Sequence, residues 1–250
     1  MFKFETINNK KILKSDLLTK ANGFFTTRES VITQRDLPEL EAICSQNREL
    51  IARYLKIKPE QLISPVQTHS ANIAVAKEGQ IYPNTDALVV IDTNIAIALN
   101  FADCTPVILY DSYNNIGAIS HAGWRGTAAR IVPKTIEFMN KHYSTEPKNI
   151  TALIGPAISM NNYQVGDDVF IQIKSSLKLQ YNDFYRFDKI ANKYNVDLKT
   201  VNLHQLEELG VSRIDKCNYC TYDSIDVFFS YRRENGKTAR HSAILKLIEQ

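Results

Sequence analysis

Residues 71–76 ANIAVA, 87–91 ALVVI, 95–102 IAIALNFA, 106–110 PVILY and 115–122 NIGAISHA are short apolar runs separated by Asn, Asp and Pro. Runs of that length, rich in Val, Ile and Ala, read as strands buried on both faces. They predict a core sheet within residues 66–122. On the C-terminal side, TAARIVPKTIEFMNKHY repeats its apolar residues at three and four, which predicts a helix over about 127–143, kinked or restarted at Pro133. ITALIGPAI reads as a strand ending at Gly155-Pro156, and DDVFIQIKSSL and DLKTVNLHQLEELG read as helices. DVFFSYRRE and RHSAILKLI form a predicted late strand pair. On the N-terminal side, DLPELEAICSQNRELIARYL (36–55) predicts a surface helix with Asp36 as cap and Pro38 in the first turn. Helices and strands without strict βαβ alternation indicate an α+β fold rather than a doubly wound one.

The chain is 250 residues long, 44% hydrophobic and 23% charged, with no internal repeat or Gly/Ser linker, so one domain over 1–250 is expected. Thirty Lys and Arg against 27 Asp and Glu give a net charge of +3 with the signs interspersed, which argues against a nucleic-acid partner. There is no apolar stretch long enough to span a bilayer, and MFKFETINNKK lacks the apolar region of a signal peptide. The expectation is a cytoplasmic protein with no membrane partner. Cys44, Cys104, Cys217 and Cys220 are too sparse for a disulfide framework and are expected as reduced thiols.

Reactive side chains gather at three predicted strand ends: Gln67-Thr68-His69-Ser70, Ala102-Asp103-Cys104-Thr105-Pro106 and His121-Ala122-Gly123-Trp124-Arg125-Gly126. Two imidazoles and a thiolate suit zinc, which in catalytic sites takes three protein ligands and keeps a fourth position open. His69, Cys104 and His121 are 35 and 17 residues apart and follow no local ligand pattern. On residue types alone, a buried Cys104 and two core histidines would serve equally well.

QTHS, TDALVV, FADCTPVILYD, GAISHAGWRGT, IGPAIS with YQVGDDV, and FFSYRRENGKTARHSAIL together resemble the multicopper polyphenol oxidase or laccase-domain family, YfiH-like, over about residues 60–245. The resemblance implies an α+β fold with mixed sheets in α/β/β/α layers, related to a class of cysteine hydrolases. It implies zinc held by His69, Cys104 and His121, with the same three residues catalytic. The implied activity is phosphorolysis of adenosine, inosine, guanosine and S-methyl-5'-thioadenosine to free base and (thio)ribose 1-phosphate, with adenosine deamination as a second reaction. Purine nucleosides and phosphate are then the partners; oligomeric state is left open. Gly123, Arg125, Gly126 and Thr127, just before a predicted helix, form a candidate phosphate cradle, with Arg125 as a bidentate clamp. The plainer alternative is a tight turn with Trp124 packed inward and Arg125 paired to a surface carboxylate. Asp86 and Asp103 are candidate acceptors behind the histidines.

Two departures from the family pattern stand out. Residues 23–31, GFFTTRESV, lack the usual glycine pair, which puts substrate contacts from that loop in question. Gln164 stands where the family has a carboxylate, which predicts weak deamination. Cys217-Asn218-Tyr219-Cys220 is half of a zinc-ribbon pattern and reads as two loop thiols. Tyr231-Arg232-Arg233 with Lys237 and Arg240 reads as the solvated face of a hairpin, His142 and His204 as surface residues, and His241 as a possible visitor to the site from the last strand. Copper-dependent phenol oxidation, a metal-free cysteine hydrolase with Cys104 as nucleophile, and a nucleotide-binding protein are the competing functions. Five histidines are too few for four coppers.

Overall fold

Strands that are apolar on both faces need a packing partner on each side, and two sheets lying face to face between helices supply them. The computed structural model describes residues 1–34 and 37–249, so the expected cap Asp36 lies outside the described residues. With elements numbered in chain order, the first sheet runs β1 (Phe2–Ile7), β2 (Lys10–Ser15), β3 (Ala21–Thr26), β15 (His241–Leu247), β7 (Ala96–Phe101) and β4 (Leu62–Ile63). The second runs β14 (Arg213–Lys216), β10 (Ile150–Ile154), β8 (Thr105–Asp111), β9 (Ile116–Ala122), β6 (Ala87–Val90) and β5 (Ile73–Val75). Pairing is antiparallel except at β4–β7, β10–β14 and β5–β6, so both sheets are mixed. A small sheet of β11 (Gln164–Val165), β13 (Lys193–Val196) and β12 (Tyr185–Asp188) completes the strands.

The period of two along each strand sorts its side chains between layers. In β7, Ile97, Leu99 and Phe101 face the second sheet, while Ala96 and Ala98 pack with Ile51 and Leu55 of helix α1 (Glu41–Leu55). In β6 and β8, Leu88, Val90 and Ile108 face the first sheet. Ala87, Val89, Val107 and Leu109 instead meet Ile131, Ile136 and Met139 of α3 (Ile131–Tyr143) and Leu206 of α5 (Leu198–Glu207). The layers are therefore α/β/β/α. Each fully buried Leu or Ile between the sheets contributes about 1.5–3 kcal/mol.

Three expectations need correction. The apolar runs do not form one core sheet: β7 joins the first sheet and β5, β6, β8 and β9 the second. The helix expected over 127–143 is two helices. Following α2 (Trp124–Ala128), Arg130 adopts φ 59° and α3 begins at Ile131, with Pro133 in its first turn where a missing N–H costs nothing. DVFFSYRRE is not a strand but a succession of turns. Its Arg233 guanidinium takes the carbonyls of Thr221, Tyr222 and Phe228 at 2.6, 2.7 and 2.8 Å. The partners of β15 are instead β3 and β7. No helix among the described residues is long and apolar enough to cross a membrane.

Candidate functional site

The chain crosses from the first sheet to the second between Phe101 and Thr105, and Cys104 sits on that crossing. Across the β8–β9 ladder Pro106 pairs with His121 and Thr105 with Ala122, which sets the thiol beside the end of β9. His69 comes from the loop between β4 and β5. One donor atom from each of His69, Cys104 and His121 lies within 4.8 Å of the others, with His69 Nε2 3.8 Å from the Cys104 sulfur. Tetrahedral zinc with one sulfur at about 2.3 Å and nitrogens at about 2.0–2.1 Å needs S···N edges of about 3.6 Å. The donor set and its spacing therefore fit a zinc ion.

Backbone strain marks the two loops that bring these residues in. His69 and Asp103 hold φ of 63° and 83°, conformations that residues with a Cβ adopt at a cost. Gly123 closes the third side. A Cβ there would stand 2.9 Å from the Cys104 sulfur and 3.1 Å from His69 Cδ2, so only glycine lets this turn approach.

Asp86 organises the histidines. Fully buried, it accepts main-chain N–H bonds from Thr68, His69 and Ser70 at 3.2, 3.0 and 2.7 Å and the Ser70 hydroxyl at 2.6 Å. His121 Nδ1 lies 2.8 Å from its Oδ1. Because a carboxylate only accepts, Nδ1 carries the proton and Nε2 is left to face the cavity. Burial opposes charge on Asp86, but hydrogen bonds from His121 and Ser70 outweigh it and hold the carboxyl well below the usual range. Burial likewise opposes a Cys104 thiolate, yet the His121 charge and hydrogen bonds from both imidazoles bring the thiol down to about 6. His121 is disfavoured as a cation by burial and carried up to about 9 by the thiolate and Asp86.

Asp103 does not touch a histidine. It accepts the Thr221 hydroxyl at 2.6 Å and the Arg232 main-chain N–H at 2.7 Å, tying the Cys104 loop to the turn near the C-terminus. Gln67 pairs with the Asn100 main chain in both directions, at 2.9 and 2.7 Å, and so fastens the His69 loop to β7.

The three residues open on a cavity of about 360 Å³. Trp124, Ile158, Tyr163, Leu198 and Tyr231 supply its apolar wall, and Arg125, Arg232 and Arg240 its charge. Arg125 stacks on Trp124 at 4.2 Å instead of pairing with a carboxylate. Gly126 and Thr127 are buried and do not line the cavity; the Thr127 N–H is spent on the Gly123 carbonyl and its hydroxyl on Asn202 and Ala122.

A family model described as "Multi-copper polyphenol oxidoreductase laccase" matches residues 24–248. The chain belongs to this family. Among its laccase-domain relatives, a protein of Bacteroides thetaiotaomicron named purine nucleoside phosphorylase is 31% identical over 207 residues, 78% of this chain and 76% of that one. A purine nucleoside phosphorylase of Staphylococcus epidermidis is 28% identical over 247 residues, 88% of this chain and 89% of its own. Crystal structures of Bacillus licheniformis YfiH and Geobacillus stearothermophilus YlmD superpose with TM-scores of 0.88 and 0.89 at 28% and 26% identity. Each covers 98% of this chain and 99% of its own.

Several residues lie elsewhere than the sequence suggested. The 231–240 stretch is exposed at Tyr231, Arg232 and Lys237, as expected of a solvated face, but it forms turns rather than a hairpin, and Tyr231, Arg232 and Arg240 line the cavity. Gln164 points away from the cavity, its amide 3.4 Å from Asp188, so its neutral side chain bears on the small sheet. Residues 23–31 also stay off the cavity, and Arg28 there pairs with Glu234 to brace the turn that carries Arg232. His241 is buried behind Phe101, which separates it from His121, and burial lowers it to about 3. His142 is exposed, but His204 is buried, stacked on Tyr181 at 3.7 Å between Asp183 and Glu207. Cys217 and Cys220 are buried free thiols, and burial pushes Cys217 up to about 11. Asn100 and Leu198 also line the cavity, and nothing in their local sequence pattern signals it.

Proposed function

We propose that the whole chain, 1–250, acts as one cytoplasmic, zinc-dependent enzyme of purine nucleosides, with His69, Cys104 and His121 as metal ligands and catalytic centre. Its main reaction is phosphorolysis of adenosine, inosine, guanosine and S-methyl-5'-thioadenosine to the base and ribose or methylthioribose 1-phosphate. Adenosine deamination is a second reaction of the same cavity. The observation that carries this reading is the convergence of one thiolate and two imidazoles on a nucleoside-sized cavity in a relative of proteins named purine nucleoside phosphorylase. The same donor set favours zinc over copper, since the described residues contain one group of three His/Cys/Asp/Glu donors and no second.

When bound, zinc would supply a Lewis acid at the thiolate end of the cavity. The chain's residues do the rest. Trp124 and Tyr231 offer faces on which a purine stacks, worth about 1–3 kcal/mol per base. A phosphate oxygen attacks C1′, the C1′–N9 bond breaks, and its electron pair leaves with the base, which takes up a proton. Arg125 holds the phosphate. Burial first, then the nearby Cys104 thiolate, keep the Tyr163 phenol protonated well above its ordinary range, so it stands ready as a hydrogen-bond donor to the departing base. Gly123 lets the turn close on the thiol, and Gly126 and Thr127 shape that turn rather than touch the anion.

A second reading rests on the alignment Cys104–His121–Asp86, which also suits a metal-free cysteine hydrolase. One experiment separates the two. Metal-analysed protein is incubated with adenosine, with and without phosphate, beside Cys104→Ala, and products are separated by chromatography. Phosphate-dependent adenine release, lost in the variant, is the expected result; inosine formed without phosphate would make deamination the main activity. Neither product from folded, zinc-loaded protein would overturn the nucleoside reading.

A further inference from the structure

Three arginines, Arg125, Arg232 and Arg240, line the cavity against a single lining carboxylate, Asp103. Both oxygens of Asp103 are already engaged, one by the Thr221 hydroxyl and the other by the Arg232 main-chain N–H. At Arg125 and Arg232 the wall therefore carries fixed positive charge that its own carboxylate does not meet with a side-chain ion pair. Arginine ion pairs among the described residues involve Arg28, Arg130 and Arg233, not Arg125 or Arg232.

Arg232 is held in an unusual way for a surface arginine. Its backbone is fastened to the residue before Cys104, so the side chain starts from a fixed point beside the thiol. Its guanidinium lies over the Tyr163 ring at 5.3 Å and makes one long contact, 3.5 Å, to the Gln164 carbonyl. A guanidinium has five N–H donors in a planar fork, so most of that capacity is left for a ligand. Arg125 faces the same cavity from helix α2, its guanidinium over the Trp124 ring at 4.2 Å. Tyr163, beneath the Arg232 guanidinium, lines the same cavity as Arg125.

We propose that Arg232 and Arg125 form the two arms of an oxyanion clamp that binds a tetrahedral phosphate group on the Tyr163 side of the cavity. Bidentate contacts from planar guanidinium forks are the arrangement that matches phosphate geometry. The clamp rests on the nucleoside reading for its part in turnover, where the phosphate is the nucleophile. Binding itself does not depend on that reading. The phosphate comes either as the free ion or as the ester of a nucleotide.

Equilibrium dialysis of zinc-loaded protein with radiolabelled inorganic phosphate, and separately with adenosine 5′-monophosphate, tests the clamp in wild type, Arg232→Gln, Arg232→Lys and Arg125→Gln. Saturable binding is expected, weakened about tenfold or more in each Gln variant, with Arg232→Lys between, because it keeps the charge and loses the fork. Saturable free phosphate identifies the ion as the occupant, and saturation by the monophosphate alone identifies the ester; both support the clamp. Since the Asp103 bond uses the Arg232 main chain, the variants should keep the wild-type melting temperature, and Arg125→Gln changes an exposed side chain. Wild-type affinity in Arg232→Gln, or no saturation of the wild type by either probe up to about 10 mM, would overturn it. If binding depends on Arg232 but neither phosphorolysis nor deamination occurs, the nucleoside reading fails and the clamp stands. Where turnover is measured, KM for phosphate should rise in Arg232→Gln with KM for nucleoside little changed.

Discussion

Asp86 shows how one residue can define a site it does not enter. Its carboxylate collects five donors, four from residues 68–70 and one from His121, and so fixes the His69 loop and the His121 tautomer together. Asn offers one acceptor oxygen and no charge, so Asp86→Asn should weaken zinc binding about 10–100-fold, read by competition with a chromophoric chelator. Zinc affinity equal to wild type would show that Asp86 is only a turn residue. Cys104 gives a second expectation at this scale. In metal-free protein its thiolate is the favoured form above pH about 6 and is lost as pH falls through that value, far below an ordinary thiol. The rate of iodoacetamide modification at Cys104, followed by mass spectrometry, should therefore have its midpoint near pH 6 and not above 8. His69, Cys104 and His121, which the structure brings together, could be named from sequence because QTHS, ADCTP and HAGWRG are distinctive as a set of blocks. Their geometry could not, because strained turns at His69 and Asp103 depend on contacts with distant residues.

At the scale of elements, legibility follows how local the determinants are. The runs of β6 to β9 announce themselves because both faces are apolar. Strands β1 and β2, FKFETI and KKILKS, are short and interleaved with charge, and β3 gains its centre-sheet place only by pairing with β15, more than two hundred residues away. DVFFSYRRE misleads for the opposite reason. Its aromatics look like strand residues, but Phe228 and Phe229 bury in different clusters and Arg233 takes carbonyls that a neighbouring strand would otherwise pair. Helix α5, by contrast, is readable from its cap: Asp197 accepts the N–H groups of Lys199 and Thr200 at 3.0 and 3.3 Å. Asp197→Ala should cost about 0.5–2 kcal/mol in urea denaturation. An unchanged midpoint would mean the helix start is held by packing alone.

Over the whole molecule, the α/β/β/α sandwich explains where the site stands. Each sheet buries one face against helices and the other against its neighbour, so neither face is open to a ligand. Chemistry is left to the strand ends, and the place where the chain passes from β7 to β8 lets the His69 loop on β7 and the ends of β8 and β9 meet. The small sheet and α4 (Asp167–Ser175) build a further cluster that includes Trp124 and Tyr163, giving the cavity its aromatic wall. In the function proposed here, one zinc held by His69, Cys104 and His121 supports phosphorolysis in that cavity. The most direct test is to strip the protein of metal, titrate zinc back in, and follow phosphate-dependent release of base. Activity should rise in proportion to zinc and break at about one equivalent per chain, with no rise in Cys104→Ala. Full activity before any zinc is added, or an equal rise in Cys104→Ala, would contradict it.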